Sequence, residues 1–197
     1  MNLNYTFDQP ENDSQNYYFY KEGFNKEELN IIEQSVSDLP WHIATTVGGD
    51  DSDNRKSNIK WIPQNDNWWW LYEKLSNMAV AANNELWNFD LQHIPEQIQY
   101  TEYHAPAGHY DWHQDIGPGM LSKRKISITV QLSEPDEYEG GTLQLFRGGS
   151  TEGPFIEAEK AAGCVFIFPS YMMHRVTPVT KGTRKSFVLW LGGGHYR

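Results

Sequence analysis

The chain has 197 residues with a net charge of -10, from 16 basic and 26 acidic side chains, and is 39% hydrophobic and 14% aromatic. This length suits one domain with its own core, and this apolar content excludes a disordered chain. The acidic balance argues against broad contact with nucleic acid or an anionic membrane, since both require basic surface.

Cys164 is the single cysteine and lies in the apolar run Cys164-Val-Phe-Ile-Phe168. It points to a reducing compartment. The opening MNLNYTFDQP lacks a basic-then-apolar leader, and no apolar run approaches membrane-spanning length. The expectation is a cytoplasmic protein with no membrane partner.

After a polar, Asn-rich lead, Asn16 to Lys21 is predicted as a strand. A helix follows. Asn25 is a favoured N-cap, Glu28 completes a capping box, and Phe24 is placed to staple onto Leu29. Leu29, Ile32, Val36 and Leu39 form its apolar stripe, and Pro40 ends it. Gly48 to Ser57 is a polar loop by composition. A second helix spans Asn67 to Trp87, with Trp68, Leu71, Tyr72, Leu75, Ala79, Ala82 and Leu86 at helical spacing. This stripe is assigned to packing against a sheet, not to a cofactor.

Beyond Pro95 the pattern changes from helix to strand. Ile98 to His104 and Lys125 to Leu132 alternate, Gly141 to Phe146 is short and Gly-bounded, Gly163 to Phe168 is a buried run, and Arg184 to Leu191 closes the series. Strands at this density, separated by Gly, Pro and Asp turns, read as an antiparallel barrel or jelly roll. The fold class is therefore α+β, mainly β: a double-stranded β-helix (jelly roll) with N-terminal helices packed on one sheet. It forms a single domain over 1–197, in which 1–95 gives helical support and 96–197 the jelly-roll core.

The chemistry concentrates in Tyr103 to Asp115, a stretch with three histidines, two aspartates and two tyrosines. Read as one strand, it puts His113 and Asp115 on the same face, able to point at one ion. Gly117-Pro-Gly119 stops that strand, which places the ion at a sheet end. His109 and Asp111 repeat the frame with the same parity and are an alternative pair. His174, just beyond the Pro169-Ser-Tyr turn, is the candidate third ligand and opens a short extended segment of its own, His174 to Val179. Two histidines and one carboxylate form the facial triad of non-heme Fe(II) oxygenases. The same donors bind zinc, so a non-catalytic metal-binding jelly roll stays open at this point.

The ordered motifs are Tyr103, Tyr110-Asp-Trp-His113-Gln-Asp115, Arg124-Lys-Ile-Ser127, Leu132-Ser-Glu-Pro-Asp-Glu-Tyr-Glu-Gly-Gly141, and Phe168-Pro-Ser-Tyr-Met-Met-His174 through Arg184, closing on Trp190. Together they resemble the Fe(II)/2-oxoglutarate-dependent dioxygenases of the prolyl 4-hydroxylase type, including the PKHD-type hydroxylases, from about Arg55 to the C terminus. The resemblance implies Fe(II) on His113, Asp115 and His174, with 2-oxoglutarate and O2 as co-substrates and ascorbate as an optional reductant. It also implies that Arg184 takes the far carboxylate of 2-oxoglutarate, a task suited to the rigid guanidinium fork.

Strand parity puts Arg184, Ser186, Val188 and Trp190 on one face and Lys185 on the other. Tyr103 matches a position whose hydroxyl reaches the co-substrate, and Thr129, Leu143 and Val176 match pocket walls. Gln131 stands where some members carry a tyrosine, although its amide still offers a donor. The implied reaction hydroxylates a C–H bond and yields succinate and CO2. A peptidyl prolyl group is the first substrate choice, with a free amino acid or small metabolite as alternatives. Nucleic acid is not expected, because Ser186 to Gly193 lacks the second arginine of the AlkB-type pattern.

Bland readings stand beside these. Arg55 and Arg124 resemble positions near a substrate entrance or lie on solvated surface, and Trp112 guards the mouth or packs. Gly140-Gly141 is a turn or bulge. His42, His93, His104 and His195 are surface or structural residues.

Overall fold

The computed structural model describes residues 16–45, 53–150 and 152–196. In chain order the elements are β1 (Tyr18–Tyr20), α1 (Lys26–Val36), β2 (His42–Ile43), β3 (Arg55–Lys56), β4 (Asn58–Ile62), α2 (Trp69–Leu86), β5 (Leu91–His93), β6 (Ile98–His104) and β7 (Gly108–His113). A short 3-10 helix (Gly119–Lys123) leads to β8 (Arg124–Gln131), β9 (Tyr138–Gly140), β10 (Leu143–Phe146), β11 (Phe155–Glu157), β12 (Val165–Pro169) and β13 (His174–Gly193). The result is the expected mainly-β jelly roll with two helices.

β13 joins its two sheets. The first part of β13 pairs antiparallel with β7, β9 and β10. Its second part pairs with β5, β6 and β8. The larger sheet runs β1-β12-β8-β13-β6-β4-β2, while β3 and β11 extend the smaller one. His174 to Val179 and Arg184 to Leu191, expected as separate segments, are thus one strand of 20 residues. The crossing point is Gly182, with φ +70°, where a Cβ would stand 2.0 Å from Glu137 O. A side chain there is excluded, and the glycine lets the strand change sheets without a loop.

The two faces of the larger sheet explain its sequence. Ile98 and Tyr100, Ile126, Ile128 and Val130, Val165 and Ile167, and Phe187, Leu189 and Leu191 pack with Ile32 and Val36 of α1 and Leu71, Leu75, Ala79 and Ala82 of α2. The residues between them, including Gln99, Thr101, Tyr103, Ser127, Thr129, Gln131, Arg184 and Ser186, are buried as well. By strand alternation they face the other way, between the sheets. All eight residues of β8 are buried, and from Ile126 onward they alternate, with Ile126, Ile128 and Val130 toward the helices and Ser127, Thr129 and Gln131 toward the interior. Each large aliphatic side chain removed from water contributes about 1.5–3 kcal/mol. The helix-covered face can therefore carry the stability while the inner face carries polar groups.

The helices form as their sequences require. Asn25 Oδ1 accepts from Glu28 N at 2.9 Å and Asn25 N donates to Glu28 Oε2 at 2.9 Å, which completes the capping box of α1. α2 starts at Trp69, later than expected, and has no side-chain cap. Tertiary bonds take over: the Tyr72 hydroxyl donates to Ile62 O at 2.6 Å and accepts from Ile98 N at 2.8 Å, fastening α2 to β4 and β6.

Four local expectations change. β1 is shorter than the Asn16 to Lys21 strand. β4 was not anticipated, because Asn58-Ile-Lys-Trp-Ile62 lacks clean alternation. Of the polar loop at Gly48 to Ser57, 48–52 lie outside the described residues, and Arg55–Lys56 is a strand. Finally, Tyr103 to Asp115 is not one strand but the end of β6, a turn, and β7. Among the described residues no helix is long and apolar enough to cross a membrane.

Candidate active site

β7 and the first part of β13 lie side by side, with His113 opposite His174 and Tyr110 opposite Val176. Three steps on β7 therefore match two on β13, a bulge that re-aims side chains. The extra residue brings Tyr110 and His113 onto one face, their rings stacked with centroids 3.4 Å apart. Trp112 turns instead to Phe146 and Phe155. Asp115 does not share the strand as expected, since β7 ends at His113. Its backbone N donates to Ser170 O at 2.9 Å, so the loop is pinned to the β12–β13 connection and the carboxylate is turned inward.

The ligand atoms of His113, Asp115 and His174 all lie within 4.8 Å of one another. His113 Nδ1 meets Asp111 O at 2.7 Å and His174 Nδ1 meets Met172 O at 2.9 Å. Carbonyls only accept, so each Nδ1 holds the proton and each Nε2 keeps a free lone pair. Those Nε2 atoms face Asp115, at 3.8 Å from Oδ1 and 3.6 Å from Oδ2. Burial and the adjacent His174 hold the His113 pKa down, favouring the neutral ring. Burial alone would raise the Asp115 carboxyl, but His174, His113, Arg124 and the Ser127 hydroxyl outweigh it and keep the pKa below the ordinary carboxylate value. Two imidazoles that present Nε2 and one buried carboxylate suit a borderline divalent ion.

The alternative frame is not gathered there. His109 bonds the carbonyls of Ala107 and Asp53, at 2.8 and 2.9 Å. Asp111 is exposed and accepts from Trp112 N. His42, His93, His104 and His195 are exposed too.

A cavity of about 270 Å³ opens on the three ligand candidates and is lined by Tyr103, Thr129, Leu143, Val176, Arg184, Ser186, Val188 and Trp190. Lys185 points away to Glu33. Arg184 is only 1% exposed. Its Nη2 donates to Gln131 Oε1 at 2.8 Å and its Nη1 to Ser186 Oγ at 3.1 Å. Its Nε is buried with no partner, as is Trp190 Nε1. Among the described residues no carboxylate is ion-paired with Arg184. A buried guanidinium in this condition is costly unless an anion joins it, so this end of the cavity fits a ligand carboxylate.

Sequence reasoning left several participants without a role, and gave Arg124 only a place near a substrate entrance or on the surface. Tyr138 reaches in from β9 and its hydroxyl accepts from Gln131 Nε2 at 2.5 Å, so a phenol is present although position 131 lacks one. Its signal was the tyrosine before Gly140-Gly141. Gly140 has φ +76°, and a Cβ there would stand 2.1 Å from Pro178 O, so the glycine lets β9 lie close against β13. Arg124 stacks over Trp190 at 3.7 Å, pairs with Glu96, and donates to Asp115 O at 3.1 Å. Tyr110 and Ser127 stood inside quoted motifs without a role, and Gln99 stood outside them; all three are inward residues of strands.

The sequence profile of the 2OG-Fe(II) oxygenase superfamily matches residues 98–192, the span that contains the metal-ligand candidates and Arg184. Residues 98–192 thus carry the features of this superfamily's oxygenase domain. The chain is 40% identical over 108 residues to a PKHD-type hydroxylase of Acidovorax ebreus (strain TPSY), an alignment covering 50% of this chain and 45% of that protein. It is 27% identical over 175 residues to a PKHD-type hydroxylase of Nitrosomonas europaea, covering 84% of this chain and 74% of the relative. The chain thus spans less than half of the first relative and about three quarters of the second. Among solved structures, a Pseudomonas putida prolyl-4-hydroxylase superposes with TM-score 0.69 at 20% identity, covering 91% of this chain and 93% of the other. A Trichoplax adhaerens prolyl hydroxylase, in complex with a hypoxia inducible factor peptide fragment, gives 0.72 at 15% identity, covering 90% and 83%. At such identities the likeness shows the jelly-roll fold. The superfamily implies Fe(II), 2-oxoglutarate and O2, and the chemistry of the donor set agrees with that metal.

Proposed function

We propose that this oxygenase hydroxylates a peptidyl prolyl residue, with Fe(II) on His113, Asp115 and His174 and 2-oxoglutarate on Arg184. One observation carries the reading: a single cavity holds a cluster of three metal-ligating side chains and a fully buried guanidinium that has no counter-ion among the described residues.

When bound, the iron supplies the oxidative chemistry that couples 2-oxoglutarate and O2 to succinate, CO2 and a hydroxylated C–H bond. The rest is the work of the chain. The Asp111 and Met172 carbonyls fix the two imidazoles by holding their Nδ1 protons, and Ser127 orients the Asp115 carboxylate. Gln131 and Ser186 hold the Arg184 fork open toward the far carboxylate of the co-substrate. Tyr103 lies beneath that fork, with the guanidinium 5.4 Å from its ring centroid. Thr129, Leu143, Val176 and Val188 wall the co-substrate, and Trp190 offers its indole N–H. A walled site of this kind excludes water from the reacting groups.

The prolyl assignment draws on the Pseudomonas and Trichoplax proteins, which are prolyl hydroxylases. The chain acts as one domain, with 1–95 supporting the 96–197 core, in the cytoplasm and without a nucleic-acid partner. The experiment is anaerobic loading with Fe(II), addition of O2 and 2-oxoglutarate with a library of proline-containing peptides, and mass spectrometry. The expected result is one oxygen gained on proline for each succinate formed. Oxygen appearing only on free amino acids or small metabolites would move the substrate class, and absence of succinate under every condition would leave a metal-binding protein without turnover.

A further inference from the structure

We infer that Arg55 recognises a carboxylate on the organic substrate, near the carbon that is hydroxylated; this rests on the reading of the cavity as an oxygenase site. Arg55 lies on β3 opposite Tyr110 of β7 and is 9% exposed. It lines the same cavity as His113, Asp115 and His174. Its guanidinium carbon stands 4.6 Å from the Tyr110 ring centroid, and that ring stacks on His113. The cation is therefore one aromatic ring away from a metal-ligand candidate.

Its partners leave the charge uncompensated. Nε donates to Ser57 Oγ at 2.9 Å and Nη2 to Gln99 Oε1 at 2.7 Å, and both acceptors are neutral. Among the described residues no carboxylate is ion-paired with it, and Nη1 has no protein acceptor. Nη1 is not among the sealed, unpartnered atoms either, so it keeps accessible surface, on a residue that lines the cavity. Holding a guanidinium in such a place without an anion is costly, and its fork geometry matches a carboxylate.

The other arginines of the cavity have assignments. Arg124 is paired with Glu96 and stacked on Trp190. Arg184 is the proposed anchor for 2-oxoglutarate, whose other carboxylate would be left for the metal. Arg55 and Arg184 also act at different points of β6, one on Gln99 and the other over Tyr103. Four residues of strand separate those points, on the order of 13 Å. Arg55 is thus left for the second substrate. An internal proline in a neutral peptide offers it carbonyl oxygens but no anion. The carboxylate comes from the α-carboxylate of a C-terminal proline or from an acidic side chain beside the proline.

The test uses one proline peptide in three forms: C-terminal proline as free acid, the same peptide as an amide, and the amide with Glu next to the proline. Binding to the Fe(II)- and 2-oxoglutarate-loaded protein is followed without O2 by intrinsic tryptophan fluorescence, since Trp61 and Trp190 line the cavity. Wild type should bind at least one carboxylate form about tenfold or more tighter than the neutral amide, the scale of one charge-assisted pair. That ratio should collapse toward one in Arg55→Gln and partly return in Arg55→Lys, while 2-oxoglutarate affinity stays as in wild type. Which acidic form is preferred identifies the source of the carboxylate. Thermal melting checks that the variants fold; if the Gln variant does not, a reduced ratio in Arg55→Lys is the deciding readout. Equal or absent binding of the three forms by wild type, or a ratio that Arg55→Gln leaves intact, overturns the inference. Mass spectrometry after O2 is admitted separates the two readings. A carboxylate preference with no oxygen on proline sinks the prolyl assignment alone, whereas equal hydroxylation of all three forms sinks the role of Arg55 alone.

Discussion

Ser127 Oγ donates to Asp115 Oδ2 at 2.6 Å and lies 3.0 Å from Ser170 Oγ. The Asp115 backbone is held by the same neighbourhood, through Ser170 O. A carboxylate that has left its strand is thus fixed by two serines, one on β8 and one in the β12–β13 connection. Loss of such a supporting bond typically weakens metal binding about 10–100-fold. Ser127→Ala should do this in a competition titration of Fe(II) or Co(II) against a chelator, with little change in melting temperature. Unaltered affinity would mean that the loop alone fixes Asp115.

The neighbouring acidic residue provides a control. Asp115→Ala should abolish tight metal binding, because it leaves two imidazoles without their buried anion. Asp111→Ala should leave affinity close to wild type, because its carboxylate is exposed and only caps Trp112 N at 2.7 Å. If the two results are exchanged, the ligand frame is His109 and Asp111, and the fold around the site needs a different explanation.

Much of this was legible from residues alone. The alternation of Lys125 to Leu132 and Arg184 to Leu191 told which side chains share a face, and the structure puts Arg184, Ser186, Val188 and Trp190 on one cavity wall. Parity failed where the backbone breaks its period. The bulge between Tyr110 and His113 and the end of β7 before Asp115 are set by pairing with β13, a partner some sixty residues away, and local pattern holds no record of it. Tyr138 was hidden for a related reason: its role depends on Gly140 letting β9 approach β13, a contact between distant segments. Arg55 sat in a polar stretch whose composition reads as loop, and only its pairing with Tyr110 makes it a buried strand residue.

Arg184→Gln keeps a polar group of similar reach but removes the charge. It should weaken 2-oxoglutarate binding by about 2–4 kcal/mol, the cost of taking one partner from a buried charge pair. Metal binding should persist. Calorimetric titration of the metal-loaded protein under anaerobic conditions measures both. An unchanged affinity would place the co-substrate anchor elsewhere in the cavity.

Tyr72 offers a stability test remote from the chemistry. Its hydroxyl serves one backbone acceptor and one backbone donor, Ile62 O and Ile98 N, in the packed layer between α2 and the sheet. Burial pushes its pKa up to about 12, so it remains a neutral donor across the physiological range. Tyr72→Phe keeps the ring but strands both backbone groups. A loss of about 1–3 kcal/mol in denaturant unfolding is expected, with 2-oxoglutarate affinity unaffected. A negligible loss would show that water reaches the site and replaces the hydroxyl.

Tyr138 and Gln131 form the last link behind Arg184, the proposed co-substrate anchor. The Gln131 amide donates to Tyr138 through Nε2 and accepts from Arg184 through Oε1, so its orientation is fixed from both ends. Tyr138→Phe removes one end and lets the amide turn, presenting a donor to the guanidinium. 2-Oxoglutarate affinity should fall by about 1–3 kcal/mol, the cost of leaving a buried polar group unsatisfied. Gln131→Leu should cost at least as much, because it deprives both Arg184 Nη2 and the phenol. The two changes act on one network, so their effects should combine to less than their sum. Strict additivity in the double variant would show that Tyr138 acts on Arg184 independently of Gln131, through its own contact with the guanidinium.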